Sequence, residues 1–435
     1  MNSNTIVTAG NQEEKDHQET PYIPPAVYYV FYLLGMATLL PWNFFITIDN
    51  YWSYKFRNTT SHDLTERSQM VDDFYANMAA VSMWINMTFL IINAMFGRHF
   101  NQHRRMVVSM GILILLFIMT TVLVEVDSDS WQQQFMTLTL VKVSVISAAC
   151  ATFQGTLFGL AAQIPGPYVS AVMSGQGMGA VFANICCIIS LSFVGGASSQ
   201  RQALTPALVF FIIAVATIVI SLVAYLWTTR LPYFRKTLQS TSDPQTSEQQ
   251  SSKKADVASF ISLLRQIKWF AASVTLIFMV TLALFPAVTV TVVPIWKPQS
   301  RWAKVYFKQV TCFLLFNVTD FLGRALGGKQ FWPKANQALL LLLLTVLRFV
   351  FIPLIMFCHL SHDHLTTVFY SDLFYILFMA LFGLSNGYLA TLCMIYGPKA
   401  VSEDKQNLAS SSMAAFLGIG LSLGSTLSKV FQKLL

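Results

Sequence analysis

The stretch VTCFLLFNVTDFLGRA, residues 310–325, places an aspartate and an arginine one helical turn apart inside an otherwise apolar segment. Burying a charge in hydrocarbon costs at least ~2.5 kcal/mol, and a partner lowers that cost only where the two groups meet. Residues four apart lie on one helix face, so Asp320 and Arg324 can pair. Phe313 and Asn317 precede them at helical spacing and extend the stripe. We therefore expect this stripe to face a wet internal cavity, where it suits a polar ligand with a flat ring.

The composition of the whole chain is that of a polytopic membrane protein. Of its 435 residues, 54% are hydrophobic and 11% are charged, whereas a soluble protein carries about 25% charged residues.

The segment up to Thr20 is polar and acidic, so we expect no cleavable signal peptide. The six cysteines fall within apolar segments, which argues against a disulfide framework or a zinc site. The net charge of +8 lies largely in loops and concerns membrane orientation rather than nucleic acid.

Eleven segments of the chain are long and apolar enough to span a bilayer, for which roughly 20 residues are needed. The predicted spans are 26–48, 74–96, 106–125, 135–163, 167–195, 204–228, 269–292, 309–328, 337–358, 372–396 and 408–430. The only turn between the fourth and fifth spans is Pro165-Gly166-Pro167. The prediction is an all-α fold of eleven transmembrane helices.

The distribution of lysine and arginine predicts the orientation, because these residues favour cytoplasmic loops. They are concentrated in the loop after the second span and in the loop between spans six and seven. Residues 1–25 are therefore expected to form a cytoplasmic tail, and the C-terminus is expected to be extracellular. The segment 229–268 is predicted to be a cytoplasmic linker, disordered at Ser240 to Ala255. It divides a six-helix bundle, 26–228, from a five-helix bundle, 269–435, as in carriers that bind substrate between two halves.

Three polar or aromatic residues in the first half are candidates for ligand binding. Trp42 and Asn43 follow Pro41, which is expected to bend the first span, and offer a stacking face and an amide. Trp42 also fits an interfacial tryptophan belt. Gln154 in the fourth span carries two donors and an acceptor, which suit a nucleobase edge. A hydrogen bond to a neighbouring helix explains Gln154 equally well.

Other features of the sequence favour structural roles. Gly175 and Gly179, and likewise Gly420 and Gly424, are spaced for close helix packing. Lys142 and Arg348 are intramembrane charges that we expect to snorkel or to form structural pairs.

Two features concern the predicted external loops. Asn58-Thr59-Thr60 is a glycosylation acceptor triplet in the first of them. Another external loop contains His359, His362, Asp363 and His364 close together. A solvated loop is favoured there over a zinc site because no second ligand cluster is present.

The chain contains no phosphate-binding glycine loop and no nucleophile elbow. We therefore predict no catalytic residue, no metal and no cofactor.

Several segments together resemble the equilibrative nucleoside transporter family. They are LLPWNFF at 39–45, QGTLFGLA at 154–161, MSGQG at 173–177, FPAVTV at 285–290, FNVTDFLGR at 316–324 and SNGYLATLCMIYGPKAV at 385–401. They occur in order from the first to the tenth span, and the likeness is strongest to the animal branch that transports purine and pyrimidine nucleosides. The resemblance implies a fold related to the major facilitator superfamily and facilitated diffusion by alternating access. It also implies a plasma-membrane location.

The resemblance assigns roles to individual residues. It implies that Trp42, Met83 and Leu421 flank the nucleobase and that Gln154 hydrogen-bonds it. It implies that Asp320 and Arg324 bind the ribose hydroxyls. The residues expected to form gates and supports around the site are Asn43, Phe285, Phe313 and Asn317. The expected partners are nucleosides such as uridine, adenosine and inosine, and the lipid bilayer, with no nucleic acid and no obligatory protein partner.

Two alternatives remain open at this point. A proton-stimulated endolysosomal carrier of nucleosides or nucleobases resembles the same family. Against ion coupling in the first half, the chain has no acidic residue from Ser130 to Ser242. A membrane-embedded transferase is less favoured, because it needs acid and histidine residues converging at one membrane face. The histidine-rich external loop is the only candidate for such a site.

Overall fold

The computed structural model describes residues 23–58, 68–194, 200–232, 234, 253–360 and 367–434. Its helices are α1 (Ala26–Thr47), α2 (Asp49–Lys55), α3 (Gln69–Phe96), α4 (Gln102–Glu125), α5 (Gln132–Gln163), α6 (Tyr168–Val194), α7 (Gln200–Thr228), α8 (Lys253–Leu284), α9 (Leu315–Gly328), α10 (Ala338–Leu347), α11 (Phe351–Met356), α12 (Asp372–Lys399) and α13 (Gln406–Leu434). Short π-helical turns at Trp302–Tyr306 and Lys308–Leu314 lead into α9. A 3₁₀ turn at Arg348–Val350 joins α10 to α11.

Eleven segments of these described residues are long and apolar enough to cross a bilayer, which confirms the predicted number of spans. The turn between α5 and α6 falls at Pro165–Pro167, as expected. The largest difference from the sequence prediction is at α8, which begins at Lys253 rather than at 269. No glycine or proline interrupts residues 253–284, and a helix of 32 residues extends beyond the hydrocarbon core at a rise of about 1.5 Å per residue. Residues 253–268, which the sequence prediction placed in the linker, are therefore helical.

The helices pair in the same way within each half of the chain. In the first half the first span packs against the fifth (α1 with α6) and the second against the fourth (α3 with α5). In the second half the corresponding pairs are α8 with α13 and α9 with α12. This correspondence is the structural repeat expected of a two-bundle carrier. It was not visible as a repeat in the sequence.

Glycines mark the closest of these helix contacts. A Cβ atom at Gly175 would lie 1.9 Å from the Tyr32 carbonyl oxygen, and one at Gly179 would lie 3.0 Å from the Met36 carbonyl oxygen. On the corresponding helix of the second half, a Cβ atom at Gly420 would lie 2.4 Å from the carbonyl oxygen of Thr275, and one at Gly424 would lie 2.5 Å from that of Met279. At Gly175, Gly420 and Gly424 the two backbones approach too closely for a larger side chain, and at Gly179 a Cβ atom would fit only if its neighbour moved slightly.

The two halves meet along α6 with α9 and along α13 with α3 and α5. Hydrogen bonds join them near the end of α5 and the start of α13. Ser410 Oγ donates to the Phe158 carbonyl oxygen at 2.8 Å, and Ser411 Oγ donates to that of Gly155 at 3.1 Å. Asn407 Nδ2 donates to Gln102 Oε1 at 3.3 Å. These contacts hold the halves together at one end of the molecule, the end at which the α5–α6 turn lies.

Candidate functional site

A cavity of about 230 Å³ lies between the two halves. Its wall combines side chains from α1, α3, α5 and α6 with side chains from α8, α9, α12 and α13. Nine of the ten residues predicted to bind or support a ligand line it, namely Trp42, Asn43, Met83, Gln154, Phe285, Asn317, Asp320, Arg324 and Leu421. The fold thus brings together residues separated by several hundred positions in the chain.

Asp320 and Arg324 form the charged part of the cavity wall. Arg324 Nε donates to Asp320 Oδ2 at 2.7 Å, and the two residues are only 4% and 5% exposed. The pairing follows from the helical spacing in α9, where residues four apart share a face. Because the two charges neutralise each other, the site tolerates them inside the membrane.

Two polar residues that the sequence interpretation did not single out complete this wall. Asn386 Nδ2 of α12 donates to Asp320 Oδ1 at 2.6 Å. Gln176 of α6 receives a hydrogen bond from Arg324 Nη1 at 3.2 Å and donates to Thr38 Oγ1 at 3.1 Å. Arg324 therefore connects the second half of the protein to the first. Both residues are amides within apolar spans, and that property of the sequence could have identified them.

Gln154 and a group of apolar residues also line the cavity. Gln154 is 5% exposed, and its amide forms no hydrogen bond with any of the residues that the structure describes. An amide in that situation is available to a ligand. Trp42, Met83 and Leu421 are partly buried cavity residues from three different helices, α1, α3 and α13. Gln154 and these three residues together offer one hydrogen-bonding amide and a broad apolar surface, which suits a flat heterocycle.

Phe313 is the one predicted residue that does not line the cavity. Its ring packs against Phe285, with centroids 5.7 Å apart and planes at 71°. Phe285 does line the cavity and stacks on Phe316 at 4.2 Å. Phe313 lies in the π-helical turn Lys308–Leu314, whose wider winding shifts it from the stripe of Asn317, Asp320 and Arg324. It therefore supports a cavity residue from behind.

The two further intramembrane charges are both buried. Lys142 is 3% exposed and Arg348 is 2% exposed, so neither side chain extends to the protein surface. Snorkelling is therefore not their role. Arg348 instead donates hydrogen bonds inside the second half, to the Ile277 carbonyl oxygen at 2.9 Å and to Thr281 Oγ1 at 2.9 Å.

Three sequence features lie at or beyond the edge of the described residues. Asn58 is exposed and follows α2, but Thr59 and Thr60 of its triplet are outside the described residues. The same holds for His362, Asp363 and His364 of the histidine-rich loop, and for most of Ser240 to Ala255. Among the described residues, no group of three or more potential metal ligands is present.

Solved structures with a similar fold are carriers of the major facilitator superfamily. The fold matches the transporter FucP, captured in an outward conformation, with a TM-score of 0.56 and 13% identity over 93% of this chain and 90% of that one. It matches the nucleoside transporter NupG with a TM-score of 0.54 and 11% identity over 94% of this chain and 92% of that one. These similarities establish a major-facilitator-like architecture.

Sequence comparison identifies the family. The chain is 32% identical to human equilibrative nucleoside transporter 1, over 94% of this chain and 97% of that protein. It is 34% identical to mouse equilibrative nucleoside transporter 2, over 93% of this chain and 96% of that protein. Rat equilibrative nucleoside transporter 3 is 29% identical, with coverage of 93% and 88%. The family model described as "Nucleoside transporter" matches residues 140–433. The chain therefore belongs to the nucleoside transporter family.

Proposed function

We propose that this protein carries purine and pyrimidine nucleosides, such as uridine, adenosine and inosine, across the plasma membrane by facilitated diffusion. The observation that supports this most strongly is the composition of the cavity. Its wall combines the Asp320–Arg324 pair, from the second half of the chain, with the Gln154 amide and the Trp42 ring, from the first half. A cavity that offers charged groups, an amide and an apolar surface is complementary to a molecule that joins a polar sugar to a flat base.

The two charged residues have complementary roles in binding ribose. Each oxygen of the Asp320 carboxylate accepts one hydrogen bond within the protein, which leaves lone pairs for a sugar hydroxyl. Arg324 adds donors of its planar guanidinium group. A nucleoside is uncharged, so its binding leaves the balance between the two charges unchanged. The Gln154 amide reads the edge of the base, and Trp42, Met83 and Leu421 pack against its faces.

Alternating access is the mechanism that we propose for this transport, and the way the halves meet supports it. The hydrogen bonds of Ser410, Ser411 and Asn407 lie toward one end of the interface, and the cavity lies beside Met83, whose carbonyl oxygen accepts from Ser422 Oγ at 3.0 Å. Rocking one half against the other exchanges these contacts for a set at the opposite end, and the cavity opens to the other side. Because Arg324 binds both Asp320 and Gln176, the same motion moves the sugar site.

The experiment is uptake of labelled uridine and adenosine by proteoliposomes that contain only the purified protein. We expect saturable uptake that stops when the concentrations inside and outside are equal and that runs equally well in the opposite direction. A pH gradient should have no effect on the final level. Accumulation above the external concentration that a protonophore abolishes would instead support the proton-stimulated carrier. Protein-free vesicles are the control, and uptake no greater than theirs would refute the proposal.

The orientation and the site of glycosylation are part of the same proposal. The bias of positive charges supports a cytoplasmic N-terminus and an extracellular C-terminus, which places Asn58 outside the cell. Surface labelling of epitope tags at the two termini of intact cells tests the orientation. A tag at the N-terminus that antibody reaches without permeabilisation would contradict it.

A further inference from the structure

Asp320 is held from two sides, and only one of its partners is on the same helix. Arg324 of α9 holds Oδ2, while Asn386 of α12 donates to Oδ1 at 2.6 Å. On the other side of Asn386, Thr281 Oγ1 of α8 donates to Oδ1 of the amide at 2.7 Å. Behind Thr281, Arg348 Nη2 donates to the same hydroxyl oxygen at 2.9 Å. Arg348, Thr281 and Asn386 thus form a continuous chain of hydrogen bonds that ends on Asp320.

The groups at the two ends of this hydrogen-bond chain determine the orientation of the Asn386 amide. An ionised carboxylate only accepts hydrogen bonds and a guanidinium only donates them. Asn386 must therefore turn its NH₂ group toward Asp320 and its oxygen toward Thr281. The Thr281 hydroxyl accepts from Arg348, and its single hydrogen is shared between Asn386 Oδ1 and the Ile277 carbonyl oxygen, each 2.7 Å from Oγ1. The amide consequently has one favoured orientation.

The residues of this hydrogen-bond chain are also buried and tightly surrounded. Arg348, Thr281 and Asn386 are 2%, 3% and 2% exposed. The remaining Arg348 donors reach the carbonyl oxygens of Ile277 and Phe382, and the hydroxyl of Ser385. Among the described residues, no carboxylate lies within salt-bridge distance of Arg348. The hydrogen bonds that link Arg348 to Asp320 therefore run through the two intervening residues. In a low-dielectric interior such a chain polarises each of its members.

We propose that Asn386, oriented by Thr281 and Arg348, is a positioning residue that holds the Asp320 carboxylate in the direction needed for a sugar hydroxyl. This rests on the proposed function, in which Asp320 binds ribose. The Asn386 oxygen and one of its N–H groups are occupied within the protein, and it is this N–H that fixes the direction of the Asp320 carboxylate. Preorganisation of this kind improves affinity because the carboxylate need not be ordered when the substrate arrives.

The experiment compares Thr281→Val with the parent in proteoliposomes, using uridine and 3′-deoxyuridine. Valine keeps the shape of threonine and removes the hydroxyl that links Arg348 to Asn386. We expect the KM for uridine to rise about five-fold, the effect of one net hydrogen bond, with kcat preserved. We assign the 3′ hydroxyl of the ribose to Asp320. The KM for 3′-deoxyuridine should therefore not change, because this analogue lacks that hydroxyl. Thr281→Ser, which retains the hydroxyl, should restore the parent KM.

Thr345→Val is the matched control. Thr345 is also a buried threonine near Arg348. Among the described residues, its hydroxyl donates only to the Leu341 carbonyl oxygen of its own helix, at 2.9 Å. Its substitution makes the same chemical change outside the chain of hydrogen bonds and should leave both KM values at the parent level. If Thr281→Val fails to fold, Asn386→Ala serves for the same comparison of the two nucleosides.

Three results are distinguishable. An equal rise for both nucleosides, or no rise for either, would overturn the positioning role while leaving the transport function intact. A selective rise for uridine supports the positioning role. A parent protein without saturable uridine uptake would refute the proposed function itself, whatever the variants do.

Discussion

The Asp320→Asn substitution addresses the sugar site most directly, because it keeps the size of the side chain and removes its charge. The two carboxylate oxygens accept from Arg324 and Asn386 at 2.7 Å and 2.6 Å. An asparagine has a single acceptor oxygen, so its NH₂ group must face one of these two donors. The single oxygen of the asparagine then accepts from the other of these two donors, and the sugar hydroxyl loses its charged acceptor. A hydrogen bond to a charged group contributes about 1.5–3 kcal/mol, which predicts a rise in KM for uridine of roughly 10-fold to 150-fold.

The variant should still fold. Removing one member of a buried ion pair outright costs about 3–5 kcal/mol, but asparagine leaves Arg324 an acceptor at the same position. Arg324 Nη1 also keeps the Met173 carbonyl oxygen and Gln176 Oε1, both at 3.2 Å. Alanine at 320 leaves no such acceptor and should reduce the amount of folded protein as well as transport.

The assay measures KM for uridine and for 3′-deoxyuridine with equal amounts of folded protein, judged by size-exclusion chromatography. In the parent, 3′-deoxyuridine should already be the poorer substrate. In Asp320→Asn, uridine should lose most of its advantage while the analogue changes little. If the KM values of the two nucleosides rise by the same factor, Asp320 has a structural role and does not bind the sugar.

Three further predictions test other parts of the interpretation. Gln154→Leu should raise the KM for purine and pyrimidine nucleosides by unequal factors, which correspond to a loss of about 1–3 kcal/mol in apparent binding free energy. Unchanged uptake of every nucleoside would contradict base recognition by this amide. Gly175→Val should lower the thermal stability of the purified protein, since a Cβ atom there meets the Tyr32 carbonyl oxygen at 1.9 Å. Gly111→Ala should not lower it, because a Cβ atom at Gly111 meets nothing within 4 Å. Equal melting temperatures of the two variants would contradict close packing at Gly175. Asn58→Gln should abolish the mobility shift that an endoglycosidase produces in protein from animal cells, and a shift that persists would place the glycan elsewhere.

The membrane class, the number of spans and the Asp320–Arg324 pair were all predictable from the sequence. Each depends on local properties, because a span needs about 20 apolar residues and a pair needs only a spacing of four on one helix. Phe313 shows the limit of this reasoning. Helical spacing put it in the stripe, but the π-helical winding of Lys308–Leu314 turned it onto Phe285. A change of winding is a property of the packed segment that the spacing of residues does not reveal.

What only the tertiary structure decided is which polar side chains meet across helices. Thr281 and Asn386 are 105 residues apart, and Arg324 reaches Gln176 across 148 residues. The sequence marks each of them as a polar residue in an apolar span, and Gln176 and Asn386 even lie in the MSGQG and SNGYLA motifs. Whether two such residues touch depends on how each helix is rotated about its axis. That rotation is set by the glycine contacts and side-chain packing of all the neighbouring helices together, so it exists only in the folded protein.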